Sequence, residues 1–214
     1  MTLVRMRSVD SLEGESMECY ISNVRKRVII IHGWGGFPQE GWFPWLAEHL
    51  KKEGFEVAVP SMPDPDTPEI TTWVQHVSSV VGTPDEHTFL VGHSIGCQAI
   101  LRYLESLPPD THVGGVVLVA GFFTLTNIGG PAEEEIARPW LTKSINYEKI
   151  LSHTDRITAI FSDNDEFVPL ENVKFFEERL QAKTIIQKNR GHFSGSDGIM
   201  ELPVALTELL ELSR

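Results

Sequence analysis

The chain has 214 residues, 41% of them apolar, a formal net charge of −12 and two cysteines, Cys19 and Cys97. That length suits one domain with a sizeable core, and the acidity argues against nucleic acid as a partner, because phosphate binding needs a basic face. Two cysteines outside any C-x-x-C pair make no disulfide framework, so a reduced, cytoplasmic protein is the expectation.

In chain order, residues 1–26 set LVRMRSV and MECYISNV around a polar DSLEGES. They read as an antiparallel hairpin or, for the first few residues, a disordered head. The stretch has no apolar core of signal-peptide length, and no window of the chain approaches the ~20 continuous apolar residues of a membrane span. RVIIIHGWGG is a short β-branched run ending in glycines, a buried strand followed by a tight turn. WFPWLAEHLKKEGF then carries Trp42, Trp45, Leu46 and Leu50 at helical spacing, with Gly54 as the stop. EVAVP is a second strand, and TPEITTWVQHVSSVVG a helix opened by Thr67-Pro68-Glu69 and ended by Gly82. HTFLVG, VGGVVLVAG, RITAIFS and KTIIQ are further strands; SIGCQAILRYLESL, LENVKFFEERL and LPVALTELLEL are helices.

Apolar strands alternating with helices predict an α/β fold: a doubly wound, mainly parallel sheet with helices on both faces and right-handed crossovers. Residues 122–150, with Gly129-Gly130-Pro131, have no strong period and read as a lid-like insertion. No repeat, low-complexity tract or Pro-rich linker marks a boundary, so residues 1–214 read as a single domain.

Gly92-His93-Ser94-Ile95-Gly96 matches G-x-S-x-G between a strand and a helix, the setting that gives the pattern meaning. A sharp turn there strains the serine backbone, and the flanking glycines let strand and helix approach. The hydroxyl of Ser94 then projects as a nucleophile. The Ile95 N–H, at the helix start, is half of an oxyanion hole. The other half should come from the loop after the first parallel strand, His32-Gly33-Trp34-Gly35-Gly36. Trp34 N–H is the first choice and Gly35 N–H the second, with His32 as a brace. H-G-W-G-G is not G-x-G-x-x-G, and no acid ends the next strand, so a dinucleotide site is rejected. His93 adjoins the serine on a tight corner and is expected to pack beside the turn rather than to serve as its base.

A serine hydroxyl needs a base, and histidine suits that near neutral pH. Of eight histidines, His192 follows the last strand and precedes the last helix, in the small-residue loop RGHFSGSDG. His32 and His93 are set aside above; His49 and His76 lie in helices, His153 in a linker, and His87 and His112 at strand entries, whereas ligand chemistry gathers at strand C-termini. The orienting carboxylate should follow the preceding strand, where SDNDEFVP offers Asp163, Asp165 and Glu166. Asp165 is preferred because the chain turns towards a helix directly after it; Asp163 is the alternative.

With these pieces the chain resembles an α/β-hydrolase. More narrowly, it is similar to the small YdeN-like serine hydrolases, the group that includes the retinoblastoma-binding protein of the hydrolase type. The matching segments are IIIHGWGG, PSMPDPDTPEITTWVQHV, LVGHSIGC, SDNDEFVP and GHF, over roughly residues 27–212. The resemblance implies a serine hydrolase with a Ser94–His192–Asp165 triad and a minimal cap. The L-x-C-x-E segment associated with retinoblastoma binding does not occur here, so that partner is not carried over.

The expected reaction is acyl transfer from a small ester to water through an acyl-enzyme. A peptidase or thioesterase on the same residues is an alternative, as is a hydrolase-fold interaction module. No cofactor is expected, and the Asp and His residues lack zinc-type spacing, so no metal is expected either. The partner is a small-molecule acyl substrate; no protein partner follows from the sequence. Trp34, Trp42, Phe122, Phe123, Phe167 and Phe193 flank the proposed loops and could wall an apolar acyl pocket or belong to the core. Asp64 and Asp66, between prolines, read as a solvated turn.

Overall fold

The computed structural model describes residues 25–214, so the hairpin expected over residues 1–26 falls outside the described residues apart from its last two. Six strands form one sheet: β1 (Arg27–Ile31), β2 (Glu56–Ala58), β3 (Thr88–His93), β4 (Gly115–Val119), β5 (Ile157–Ser162) and β6 (Lys183–Gln187). Their order is β2-β1-β3-β4-β5-β6 and every pairing is parallel. The chain steps outward from β1 to β2, then returns to the far side of β1 for β3. The sheet direction therefore reverses between β1 and β3, and a crevice opens beyond their C-terminal ends. Ile31 lies opposite Gly92 there, so the loops after both strands leave side by side.

Strand burial follows sheet position. The inner strands β3, β4 and β5 are buried along their whole length and consist largely of Val, Ile, Leu and Phe. The edge strands β2 and β6 are half exposed. Helix α1 (Phe43–Lys52) buries Phe43, Leu46, Ala47 and Leu50, one face at helical spacing. It packs beside α7 (Pro203–Leu212) on one side of the sheet. On the other side, α2 (Ile70–Val81) touches α3 (Ile95–Ser106), α3 touches α5 (Tyr147–Leu151), and α5 touches α6 (Glu171–Leu180). Helix α3, central in that layer, is buried from Ile95 through Leu104. The fold is the doubly wound α/β arrangement with helices on both faces.

The segment 122–150 holds helix α4 (Pro131–Thr142) and the start of α5, where the sequence has no strong period. The reason is that α4 buries only Ala137 and Trp140 and carries Pro139 inside it. Local contacts hold it instead. The Glu133 carboxylate accepts the Gly130 N–H at 2.9 Å at its start. At its end, Arg102 donates to the Trp140 and Lys143 carbonyls at 3.1 and 3.0 Å, a cation on free C-terminal carbonyls. The Trp140 indole N–H reaches Pro68 O at 2.9 Å. Among the described residues no helix is long and apolar enough to cross a membrane.

Candidate active site

Ser94 stands between β3 and α3 with φ 53° and ψ −122°, a conformation L-residues avoid and that costs about 1–3 kcal/mol. The surroundings enforce it. Ser94 N–H donates to Val119 O at 2.9 Å and its carbonyl accepts from Cys97 N–H at 3.0 Å. A Cβ at Gly92 would stand 2.8 Å from the Cys97 nitrogen, and one at Gly96 would stand 2.5 Å from the Ile31 carbonyl oxygen. Strand and helix thus close on each other where the two glycines stand, and the serine between them is turned outward.

Its hydroxyl oxygen lies 2.9 Å from Nε2 of His192, and Nδ1 of that ring lies 2.8 Å from Oδ2 of Asp165. A carboxylate only accepts, so Nδ1 carries the proton and Nε2 of the neutral ring is left to accept from the serine. The Asp165 side chain is 1% exposed. Its second oxygen, Oδ1, accepts the N–H groups of Phe167 and Val168 at 2.9 and 3.0 Å. The turn after β5 thus fixes the carboxylate from the backbone side. The Phe167 ring stands edge-on to the His192 ring, centroids 5.2 Å apart.

His192 sits in a loop without regular structure, yet its backbone donors are engaged one by one. Asn189 N–H donates to Asp163 at 2.8 Å, Arg190 N–H to the Ser162 hydroxyl at 3.0 Å, and Gly191 N–H to Asn164 at 2.9 Å. Asp197 Oδ2 accepts from the N–H groups of His192 and Ser194 at 2.9 and 3.0 Å. Asp163, the alternative orienting acid, is therefore occupied with the Asn189 amide, and Asp165 is the carboxylate that meets the imidazole.

The loop after β1 faces the serine. Gly35 N–H, the second choice for the oxyanion hole, is bonded to Pro65 O at 2.8 Å. The backbone N–H groups of Trp34 and Ile95 have no acceptor among the described residues. His32 accepts the Met62 N–H at Nε2, 2.9 Å, and holds the Gly33 carbonyl at 2.8 Å. Burial, above all, keeps its pKa below the ordinary value for histidine. The Trp34 indole N–H bonds Asp66 O at 2.9 Å. The proline-rich segment read as a solvated turn thus holds this loop through its backbone carbonyls.

A cavity of about 360 Å³ opens above Ser94. Phe122, Leu125, Ile128, Ala137 and Phe167 give it an apolar wall, and Trp34 and Ile95 line it beside the serine. Glu40, Glu166 and Asp197 also line it, and among the described residues no lysine or arginine does. Of the aromatic residues considered for the pocket, Trp42, Phe123 and Phe193 are not at this cavity. Trp42 and Phe193 are fully buried in the core, tied together by the Trp42 indole N–H and the Phe193 carbonyl at 3.0 Å. Phe123 packs against Phe176 and Tyr147 and under the Arg179 guanidinium.

The model of the family described as "Serine hydrolase" matches residues 28–211. The chain belongs to the serine hydrolase family. This serine hydrolase is 32% identical over 180 residues to YdeN of Bacillus subtilis, covering 84% of this chain and 92% of YdeN. It is 30% identical over 176 residues to the serine hydrolase RBBP9 of Rattus norvegicus, covering 80% and 89%. The crystal structure of the B. subtilis ydeN gene product matches with a TM-score of 0.80 at 31% identity, covering 87% of this chain and 98% of that one. The family match takes in the strands from Val28 onward, the serine corner and the histidine loop.

Several residues of this serine hydrolase's site escaped the sequence reading. Asn164, Ser162 and Asp197 hold the histidine loop, and Leu125, Ile128 and Ala137 wall the cavity. A signal existed for Asp197: Ser194 and Asp197 are spaced as a side-chain-to-backbone turn, and Asp197 N–H does reach back to the Ser194 hydroxyl at 3.2 Å. The cavity wall had none, because it comes from the segment without periodicity. Cys97 lies behind the serine, its thiol donating to Val119 O at 3.3 Å. Burial pushes that thiol far up from its ordinary pKa, which leaves it inert.

Proposed function

We propose that this serine hydrolase cleaves small carboxylic esters through a Ser94–His192–Asp165 triad and an acyl-enzyme intermediate. The observation that carries this reading is the pair of contacts at His192, 2.9 Å to the Ser94 hydroxyl and 2.8 Å to Asp165. Ser94 Oγ attacks the acyl carbonyl while Nε2 takes its proton, and the buried carboxylate steadies the imidazolium. The N–H groups of Trp34 and Ile95 receive the developing oxyanion. The imidazolium then protonates the departing alkoxide, and the neutral ring next activates a water that releases the acid.

Cavity size and lining support a compact, apolar acyl group. With three carboxylates and, among the described residues, no lysine or arginine around it, the cavity favours neutral or cationic leaving groups. Anionic carriers such as coenzyme A thioesters are disfavoured. The test is turnover of p-nitrophenyl butyrate together with labelling by a fluorophosphonate. Ser94→Ala is expected to abolish the label and lower kcat on the order of 10⁴-fold or more. Labelling that survives the substitution would remove Ser94 from the role of nucleophile.

A further inference from the structure

We propose that His93, the neighbour of the nucleophile, is a positioning residue that holds the base through its main chain. This rests on the Ser94–His192 reading above. Nε2 of His93 lies 2.7 Å from the carbonyl oxygen of His192. A carbonyl only accepts, so Nε2 carries the proton and donates it. Nδ1 is then the bare nitrogen, and it is buried with no partner.

Its surroundings suit a ring that stays neutral. His93 is 4% exposed and its pKa is pushed down to about 3, by burial first and then by the nearby His192. Trp42 and Phe43 meet its ring edge-on at 6.1 and 6.0 Å. Trp42 also donates to the next carbonyl of the same loop, that of Phe193. Two ring N–H groups thus hold two successive carbonyls across Phe193, whose φ is 58°. From the other side Asp197 holds the His192 N–H.

The consequence is a closed circuit. The peptide joining His93 to Ser94, the His93 ring, the His192 carbonyl, the His192 ring and the Ser94 hydroxyl form one loop of covalent and hydrogen bonds. The Ser94–His192 separation is thereby fixed by the serine corner itself, independently of Asp165. Without the His93 donor, the His192 backbone has lost one of its two anchors and a part-buried carbonyl is unpaired.

The wild-type protein gives the first test. Long-range ¹H–¹⁵N NMR is expected to show His93 as the Nε2–H tautomer from about pH 5 to pH 8. An Nδ1–H tautomer, or a ring that titrates near the ordinary histidine value of ~6.5, overturns the proposal without any variant. His93→Leu fills space but has no donor. Its kcat per titrated site on p-nitrophenyl butyrate should fall roughly 10- to 100-fold with KM within about twofold, because misplacement of the base acts on the chemical step. His93→Gln brings an amide N–H to comparable reach and should recover to within about fivefold of wild type. Unchanged kcat per site in His93→Leu, or a His93→Gln no faster than His93→Leu, overturns the proposal. If His93→Leu does not fold, the tautomer decides. Failure of the underlying reading shows separately, as turnover that survives Ser94→Ala.

Discussion

The serine corner and the histidine loop reach the same point by opposite means. Ser94 is fixed by regular structure: a central strand, a buried helix and two glycines at contact distance force one backbone path. His192 is fixed by polar side chains that hold main-chain groups of its loop, His93, Ser162, Asp163 and Asn164 from other parts of the chain and Asp197 from the loop itself. Steric enforcement is all or none, because backbone atoms in contact have nowhere to move. A set of separate hydrogen bonds weakens in steps. Substitutions should therefore differ sharply between the two regions, and within the loop between contacts to the imidazole and contacts to the backbone.

The largest effect after Ser94 itself belongs to Asp165. Asp165→Asn keeps shape but can offer its amide to Nδ1, which favours the wrong tautomer; kcat should fall on the order of 10³- to 10⁴-fold. Steady-state kinetics on p-nitrophenyl butyrate measure it, and a fall below about tenfold would break the assignment of this carboxylate. Next is Gly96→Ala. The added methyl would stand 2.5 Å from Ile31 O and 2.6 Å from His32 O, main-chain atoms at the end of β1 and the start of the loop that faces the serine. Overpacking of this kind is expected to lower Tm by roughly 5–10 °C and kcat by about 10²-fold. Calorimetry with wild-type Tm would show that the corner is not sterically enforced. Asp163→Ala removes one exposed clamp on Asn189 N–H and should lower kcat only about three- to fivefold, the worth of one hydrogen bond. If Asp163→Ala proved as damaging as Asp165→Asn, the stepwise picture of the loop would be wrong.

The same contrast explains what was legible in the sequence. The corner could be read because its determinants are local: an apolar run, G-x-S-x-G and a helical period lie within residues 89–101. The six strands were equally legible, since each is a short apolar run bounded by turns. Asp165 and His192 followed from their places after the last two strands. What holds them did not, because the donors and acceptors are far apart in sequence: His93 meets His192 across 99 residues and Trp42 meets Phe193 across 151. No periodicity encodes such pairs. The aromatic residues were legible as apolar but not as to destination. Phe122 and Phe123 are adjacent, yet one lines the cavity and the other packs under Arg179. Helix α4 was hidden by Pro139 and by a buried face of two residues.

The smallest expected effect on turnover at neutral pH, and the one that separates burial from mechanism, concerns acid stability. His32 and His93 are both held below the ordinary histidine pKa in the folded state, each chiefly by burial, His93 as far as about 3. Unfolded, each takes up a proton near pH ~6.5. Below that pH the unfolded chain binds more protons than the folded one, so protonation favours unfolding. The contribution of neutral His93 is whole above pH ~6.5 and is lost progressively as pH falls towards its folded value. By pH ~5 the loss is on the order of 2 kcal/mol, or roughly 4–8 °C in Tm. His93→Gln has no such group, so its Tm should fall less than that of wild type over the same window, whatever its starting value. The comparison of slopes rather than of absolute Tm isolates the titration, since Asp165, Asp197 and His192 near His93 are present in both proteins. Parallel slopes would mean that His93 is not held neutral by burial, and the histidine loop would then owe its acid sensitivity to the carboxylates that clamp it.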